Sequence, residues 1–371
     1  MVRLVGSSLA LVLVLSACGG AATSDPGVAQ QGDAQASPAG ETPTPSPTPT
    51  PRPTPTAYWP LRGTIATDPA TVRRRPIAVR IGNDPDARPV SGIAQADQVW
   101  ELLTEGGITR YMAVFHSQEA DSIGPVRSAR LSDIQLAPML RSILAHEGAS
   151  QIVRQRVQAA AATGAFVEID EWYWGQYFPR ITTRRSPQTV YTSTRNVREA
   201  AAQAGAKDDV EVPFMVSTTV APSGAEGSGA TTFTVPYDKV AGRVTYAYDQ
   251  GLGEYGGYTR TQGTAPTVDA ATGHSVVATN VVIIHTDITA TSIVEDALGS
   301  PSLDIRSTGT GAVTVFNRGN RYDGVWKRTG NDAYTFLVQP QSGGSLPIAL
   351  VPGGTTYFHV VPNNWAVTSA P

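Results

Sequence analysis

The stretch Gly124-Pro125-Val126-Arg127-Ser128-Ala129-Arg130 holds the residues best suited to chemistry. A Gly-Pro turn running into a helix start would present backbone N–H groups beside two guanidinium forks, a place that fits phosphate or carboxylate. Arg127 and Arg130 stand three positions apart and would share a helical face if a helix begins that early. Ion pairs bracing the domain, to Glu105 or Asp133, would use the same side chains. His146-Glu147-Gly148 follows a predicted strand. Polar residues just past a strand's carboxyl end often line the crevice of α/β folds, where a histidine–carboxylate pair can do acid–base work. Adjacent residues on extended chain point to opposite faces, so the two need not converge, and a hydrogen-bonded structural histidine is the plainer reading. The candidate ligand-binding residues are Glu105, Arg110, Gly124, Arg127, Arg130, His146 and Glu147.

Other groups carry less. Trp172, Tyr173, Trp174, Tyr177 and Phe178 form a dense aromatic set, suited either to stacking on sugars or peptides or to packing in a core, with Arg180, Arg184 and Arg185 close behind. Ser150 stands where a His-Glu-x-x-His zinc motif needs its second histidine. Gly251-Leu252-Gly253-Glu254-Tyr255-Gly256 spells a dinucleotide fingerprint, but it lies between strand-like segments and leads into no helix. No nucleophile elbow, phosphate-binding loop or cluster of metal ligands is legible, so no metal and no cofactor is expected. A net charge of −3 offers no electrostatic footprint for nucleic acid.

These residues need elements to hold them. Residues 77–81 read as a buried strand stopped by Gly82-Asn83-Asp84-Pro85. Residues 99–104 and 108–115 flank Gly106-Gly107 as a hairpin, although 94–103 also passes for a helix. Ser132-Asp133 starts a helix, 143–145 is a strand, 150–162 an alanine-rich helix stopped by Gly164, and Thr192-Ser193-Thr194 caps a helix over 197–204. Interleaved strands and helices predict an α/β domain over 58–212. After an inter-domain linker at 213–230, strand patterns at 244–248, 275–284, 312–316 and 357–361 predict an all-β domain over 231–371, a sandwich or curled sheet.

Ahead of these domains the chain carries an address. Arg3 and the apolar run 9–15 have the layout of a secretory signal over 1–17, too short to span a bilayer. The run ends in Leu15-Ser16-Ala17-Cys18, which matches a bacterial lipobox, and Cys18 is the single cysteine of the chain, so it reads as the lipidation site. Residues 18–57 read as a disordered Pro/Thr-rich linker in which every second residue from Pro43 to Pro55 is proline. At about 3.1 Å per residue that tract reaches roughly 40 Å.

Pro60-Leu61-Arg62-Gly63, Arg75-Pro76-Ile77-Ala78-Val79, Ala87-Arg88-Pro89-Val90-Ser91-Gly92-Ile93, Gln95-Ala96-Asp97, the phrase from Glu105 to Ala113, and Gly124-Pro125-Val126-Arg127-Ser128-Ala129-Arg130 together resemble the YerB-type family of bacterial lipoproteins. So do Tyr258-Thr259-Arg260, Asp269, Asn280-Val281, Gly324-Val325-Trp326 and Val351-Pro352-Gly353-Gly354-Thr355. The resemblance implies an N-terminal and a C-terminal domain and no established activity. Where relatives tend to read Ala-Pro-His-Asn-x-Tyr, this chain has Ser186-Pro187-Gln188-Thr189-Val190-Tyr191. The expectation is an extracytoplasmic lipoprotein, anchored to the membrane, that binds or scaffolds an anionic wall polymer or an envelope protein. The rival is an envelope hydrolase or transferase using Glu105, His146 and Glu147 with Arg127 as a clamp.

Overall fold

The computed structural model describes residues 56–218, 227–237, 240–338 and 344–371. The signal segment, Cys18 and the proline tract lie outside the described residues. After a short antiparallel pair, Ala57–Tyr58 with Ile65–Ala66, come strands β1 (Ile77–Gly82), β2 (Gln98–Leu103) and β3 (Thr109–Phe115). Helix α1 (Asp133–Leu140), β4 (Ile143–His146), α2 (Gln151–Ala161), β5 (Val167–Asp170), α3 (Glu171–Trp174) and α4 (Thr194–Gln203) follow. Beyond them the regular elements among the described residues are strands: β6 (Thr232–Val235), β7 (Val244–Asp249), β8 (Gly257–Gln262), β9 (Val277–Thr286), β10 (Ile288–Val294) and β11 (Pro301–Ile305). The last are β12 (Gly309–Asn317), β13 (Asn320–Arg328), β14 (Thr335–Val338), β15 (Thr355–Pro362) and β16 (Thr368–Ala370). The N-terminal region is mixed α/β and the C-terminal region β-rich. The segment open between helix and strand resolves into a short turn at Ile93–Gln95 and then β2, which runs antiparallel to β3 across the turn Glu105–Gly107.

One ladder runs in the order β5-β4-β1-β3-β2-β15-β9-β12-β13-β14. Period-two alternation splits its side chains between two cores. Val79, Val99, Tyr111, Ile283 and Tyr357 enter one core, while Ala78, Trp100, Met112, Ile284 and Phe358 enter the other. Helix α4 and strands β6–β8 contribute to the first core, and α1, α2 and the β10–β11 hairpin to the second. Strands covered on both faces need apolar residues at nearly every position, which explains the continuous runs at 77–81 and 281–284. Trp100 stacks on Phe358 with ring centroids 3.9 Å apart, so an N-terminal strand and a C-terminal strand share one aromatic contact. In the segment read as a linker, Met215 donates its N–H to Pro60 O at 3.0 Å and Ser217 to Leu350 O at 3.0 Å.

Candidate functional site

Arg80 on β1 and Arg110 on β3 project from the ladder face that α1 covers. Arg80 is fully buried, its Nε stands 3.5 Å from Asp133 Oδ2, and none of its three guanidinium nitrogens has a hydrogen-bond partner. Burial pulls its pKa down against the attraction of Asp133. Glu105, in the β2–β3 turn, takes the Arg130 guanidinium fork-to-fork: Nε at 2.7 Å on Oε2, and Nη2 on Oε1. Arg110 Nη2 adds a bond at 3.3 Å. Burial pushes the Glu105 carboxyl up, but the bonds from Arg130 and the charge of Arg110 prevail and hold it at about 2. Arg110 is drawn down to about 9, by burial first and by Arg130 next.

The remaining anion comes from elsewhere in the chain. Glu295 follows β10 in a hairpin whose two strands form a sheet of their own. Its side chain is wholly enclosed, Oε1 lies 3.6 Å from Arg130 Nε, and neither carboxylate oxygen accepts a hydrogen bond. Glu105 and Asp133 thus face the guanidinia of Arg80, Arg110 and Arg130, and the third carboxylate is delivered by the hairpin.

Along the same face, His146 ends β4 beside β5. Its Nδ1 lies 3.0 Å from Gly148 O and its Nε2 3.1 Å from Glu168 Oε1, while Asp170 Oδ1 stands 3.9 Å from Nδ1. His146, Glu168 and Asp170 offer atoms within 4.8 Å of one another, a spacing that could hold a cation. They are already committed to protein partners, since Asp170 Oδ1 accepts from Gly148 N and Trp172 N, and Arg154 Nε lies 3.2 Å from Oδ2. Glu147 turns the other way, with Arg127 Nη1 at 4.0 Å and Arg180 Nη1 at 3.6 Å. Burial raises its pKa against those two cations.

The candidate residues therefore divide. Glu105, Arg110 and Arg130 come together, Arg127 pairs with Glu147 at the rim, and His146 faces Glu168. No hydrogen bond or ion pair among the described residues joins Glu105 to His146 or Glu147. Helix α1 begins only at Asp133, so Arg127 and Arg130 do not share a helical face, and several backbone N–H groups expected to face an anion donate within the protein. Val126 N donates to Val190 O, Arg127 N to Arg80 O, Ala129 N to Gly148 O and Arg130 N to Asp133 Oδ2. Gly124 is required by close packing: a Cβ there would stand 2.8 Å from the Tyr191 ring. Of the aromatic set, Phe178 is buried, Trp174 and Tyr177 pack against the core, and Trp172 and Tyr173 are exposed, with Arg154 over the Trp172 ring at 4.9 Å. The sequence reading missed Arg80 and Glu295. A charged residue inside a run buried on both faces was the available signal for Arg80; nothing local marks Glu295.

The comparisons agree with this architecture. A family model described as "Protein of unknown function (DUF3048) N-terminal domain" matches residues 61–207, and its C-terminal counterpart matches 233–357. The chain is 33% identical over 308 residues to "Putative lipoprotein YerB" of Bacillus subtilis (strain 168), covering 82% of this chain and 86% of the relative. This chain belongs to the DUF3048 family. The crystal structure of the YerB protein from Bacillus subtilis superposes with a TM-score of 0.70 at 29% identity, over 84% of this chain and 100% of that one. The family description assigns no activity, and the relative's name speaks of a lipoprotein.

Proposed function

We propose that the protein is a lipid-anchored, extracytoplasmic binding or scaffolding module that receives an anionic group of an envelope ligand, a wall polymer or a protein partner, at Arg80, Arg110 and Arg130, in the place where Glu295 stands beside Arg130. Lipidation of Cys18 provides the anchor, in keeping with the name of the Bacillus subtilis relative. The observation that carries the reading is the Arg80 guanidinium, fully buried with all three nitrogens unbonded. A buried cation without hydrogen bonds is costly, and an oxyanion with several acceptor oxygens relieves it better than one unbonded carboxylate. A second support is that Glu295 enters on a hairpin that pairs outside the main ladder, so displacing its tip breaks no ladder hydrogen bond.

The test is binding of the full-length chain to purified anionic wall polymer and to inorganic phosphate at several salt concentrations. Glu295→Gln should tighten binding roughly tenfold, equivalent to about 1.4 kcal/mol, Arg130→Gln should weaken it, and salt should weaken both. Unchanged binding in Glu295→Gln, or no binding at low salt by either protein, overturns the reading.

A further inference from the structure

On the opposite side of the ladder from the arginine cluster, a cleft of about 630 Å³ opens between the loop after β1 and the turn after β8. Its volume lies in the range of sites that enclose small ligands, about 300–1,000 Å³. Pro85, Pro89, Pro266 and Val268 give it apolar walls, and Asn83 and Arg88 line it too. Asn83 is fully buried, and its orientation is fixed because Nδ2 donates to Glu101 Oε1 at 3.0 Å and to Thr109 Oγ1 at 2.7 Å. The carbonyl Oδ1 is left with no donor. An unsatisfied buried acceptor costs on the order of 1–3 kcal/mol, and Asn83 lines the cleft, so a donor entering there that reaches Oδ1 as the loop gives way would relieve that cost. Among the described residues the hydrogen bond of the half-buried Arg88 runs from Nε to Asp84 O at 3.4 Å, which leaves its Nη fork to the cleft.

The wall bearing Arg88 is held rigid. Arg184 donates to Ala87 O at 2.6 Å and to Pro89 O, Gln188 Nε2 donates to Asp84 Oδ1 at 2.9 Å, and Asp84 caps the turn at Ala87 N. A wall pinned from three directions loses little freedom when a ligand arrives.

We propose that this cleft binds the carboxyl end of a short peptide. Such an end carries an N–H donor next to a planar carboxylate: the N–H satisfies Asn83 Oδ1, the carboxylate meets the Arg88 fork, and an apolar side chain rests on the prolines. A phosphate ester lacks the N–H and an uncharged sugar lacks the anion, so neither uses both groups.

The experiment is a calorimetric titration of the full-length chain in detergent with N-acetyl-alanyl-alanine, its C-terminal amide, and inorganic phosphate. The acid should bind, with the amide at least tenfold weaker and phosphate not competing. Arg88→Ala should weaken the acid at least tenfold. Ala265→Trp, at the exposed edge of the cleft, should abolish binding while the far-UV circular dichroism stays unchanged. Equal affinity for acid and amide, competition by phosphate, undiminished binding by either variant, or no heat at millimolar peptide would overturn the proposal.

Discussion

His146 shows how much a single side chain depends on partners that local sequence does not name. Both ring nitrogens face acceptors, Gly148 O at 3.0 Å and Glu168 Oε1 at 3.1 Å, and only an imidazolium donates to both. Burial pulls its pKa down, yet the Glu168 bond and the charges of Asp170 and Glu168 push harder, and the net shift is upward. A pKa raised in the folded state contributes stability that is complete below the unfolded value, about 6.5, and is lost as pH rises through the folded value. Urea stability should therefore fall on the alkaline side, and His146→Gln should flatten that part of the profile while costing about 3–5 kcal/mol at pH 6. A wild-type profile identical in shape to that of His146→Gln would contradict the assignment. Glu105 acts in the opposite sense: held at about 2, it supports the fold above the unfolded carboxylate range and loses that support as pH falls toward 2. His146 and Glu105 were legible as reactive types. Glu168 was not, because parallel pairing of β4 with β5 brings it in from 22 positions away.

At the scale of elements, capping chemistry was readable where it is local. Ser193 Oγ accepts from Asn196 N at 3.1 Å and starts α4, the helix read from Thr192-Ser193-Thr194. Ser193→Ala should lower stability by about 1 kcal/mol in urea denaturation with the helix retained; an unchanged midpoint would show that packing of Val197, Ala200 and Ala201 alone holds it. Segment 94–103 was ambiguous because Gln95, Gln98 and Glu101 stand three apart, a helical spacing, although Gln98 and Glu101 are fully buried in β2. Val99 and Trp100, adjacent in sequence, end in different cores. The hairpin that carries Glu295 to Arg130 has the weakest local signal, since that contact comes from where its tip lands.

For the whole molecule, the decisive strand is β15. It pairs in parallel with β2 of the N-terminal region and with β9 of the C-terminal region, so neither ladder half is closed without it. Residues 54–371 should unfold in one urea transition, and fragment 58–212 alone should show no cooperative unfolding, because β2 would expose an unpaired edge and both cores would be opened. A sharp transition of that fragment would refute this coupling. The sequence by itself determined several strands and helices, the β-rich character of the second half and the reactive types Glu105, Arg130 and His146, since periodicity, capping and residue type are local properties; Arg80, Glu168 and Glu295 escaped it. Only the tertiary structure decided which polar groups meet: Arg80 with Asp133, Arg130 with Glu295 as well as with the Glu105 that the sequence offered, and Asn83 with Glu101. Those pairings follow from strand register and from parallel crossovers between residues far apart in the chain, and a linear pattern carries no record of either.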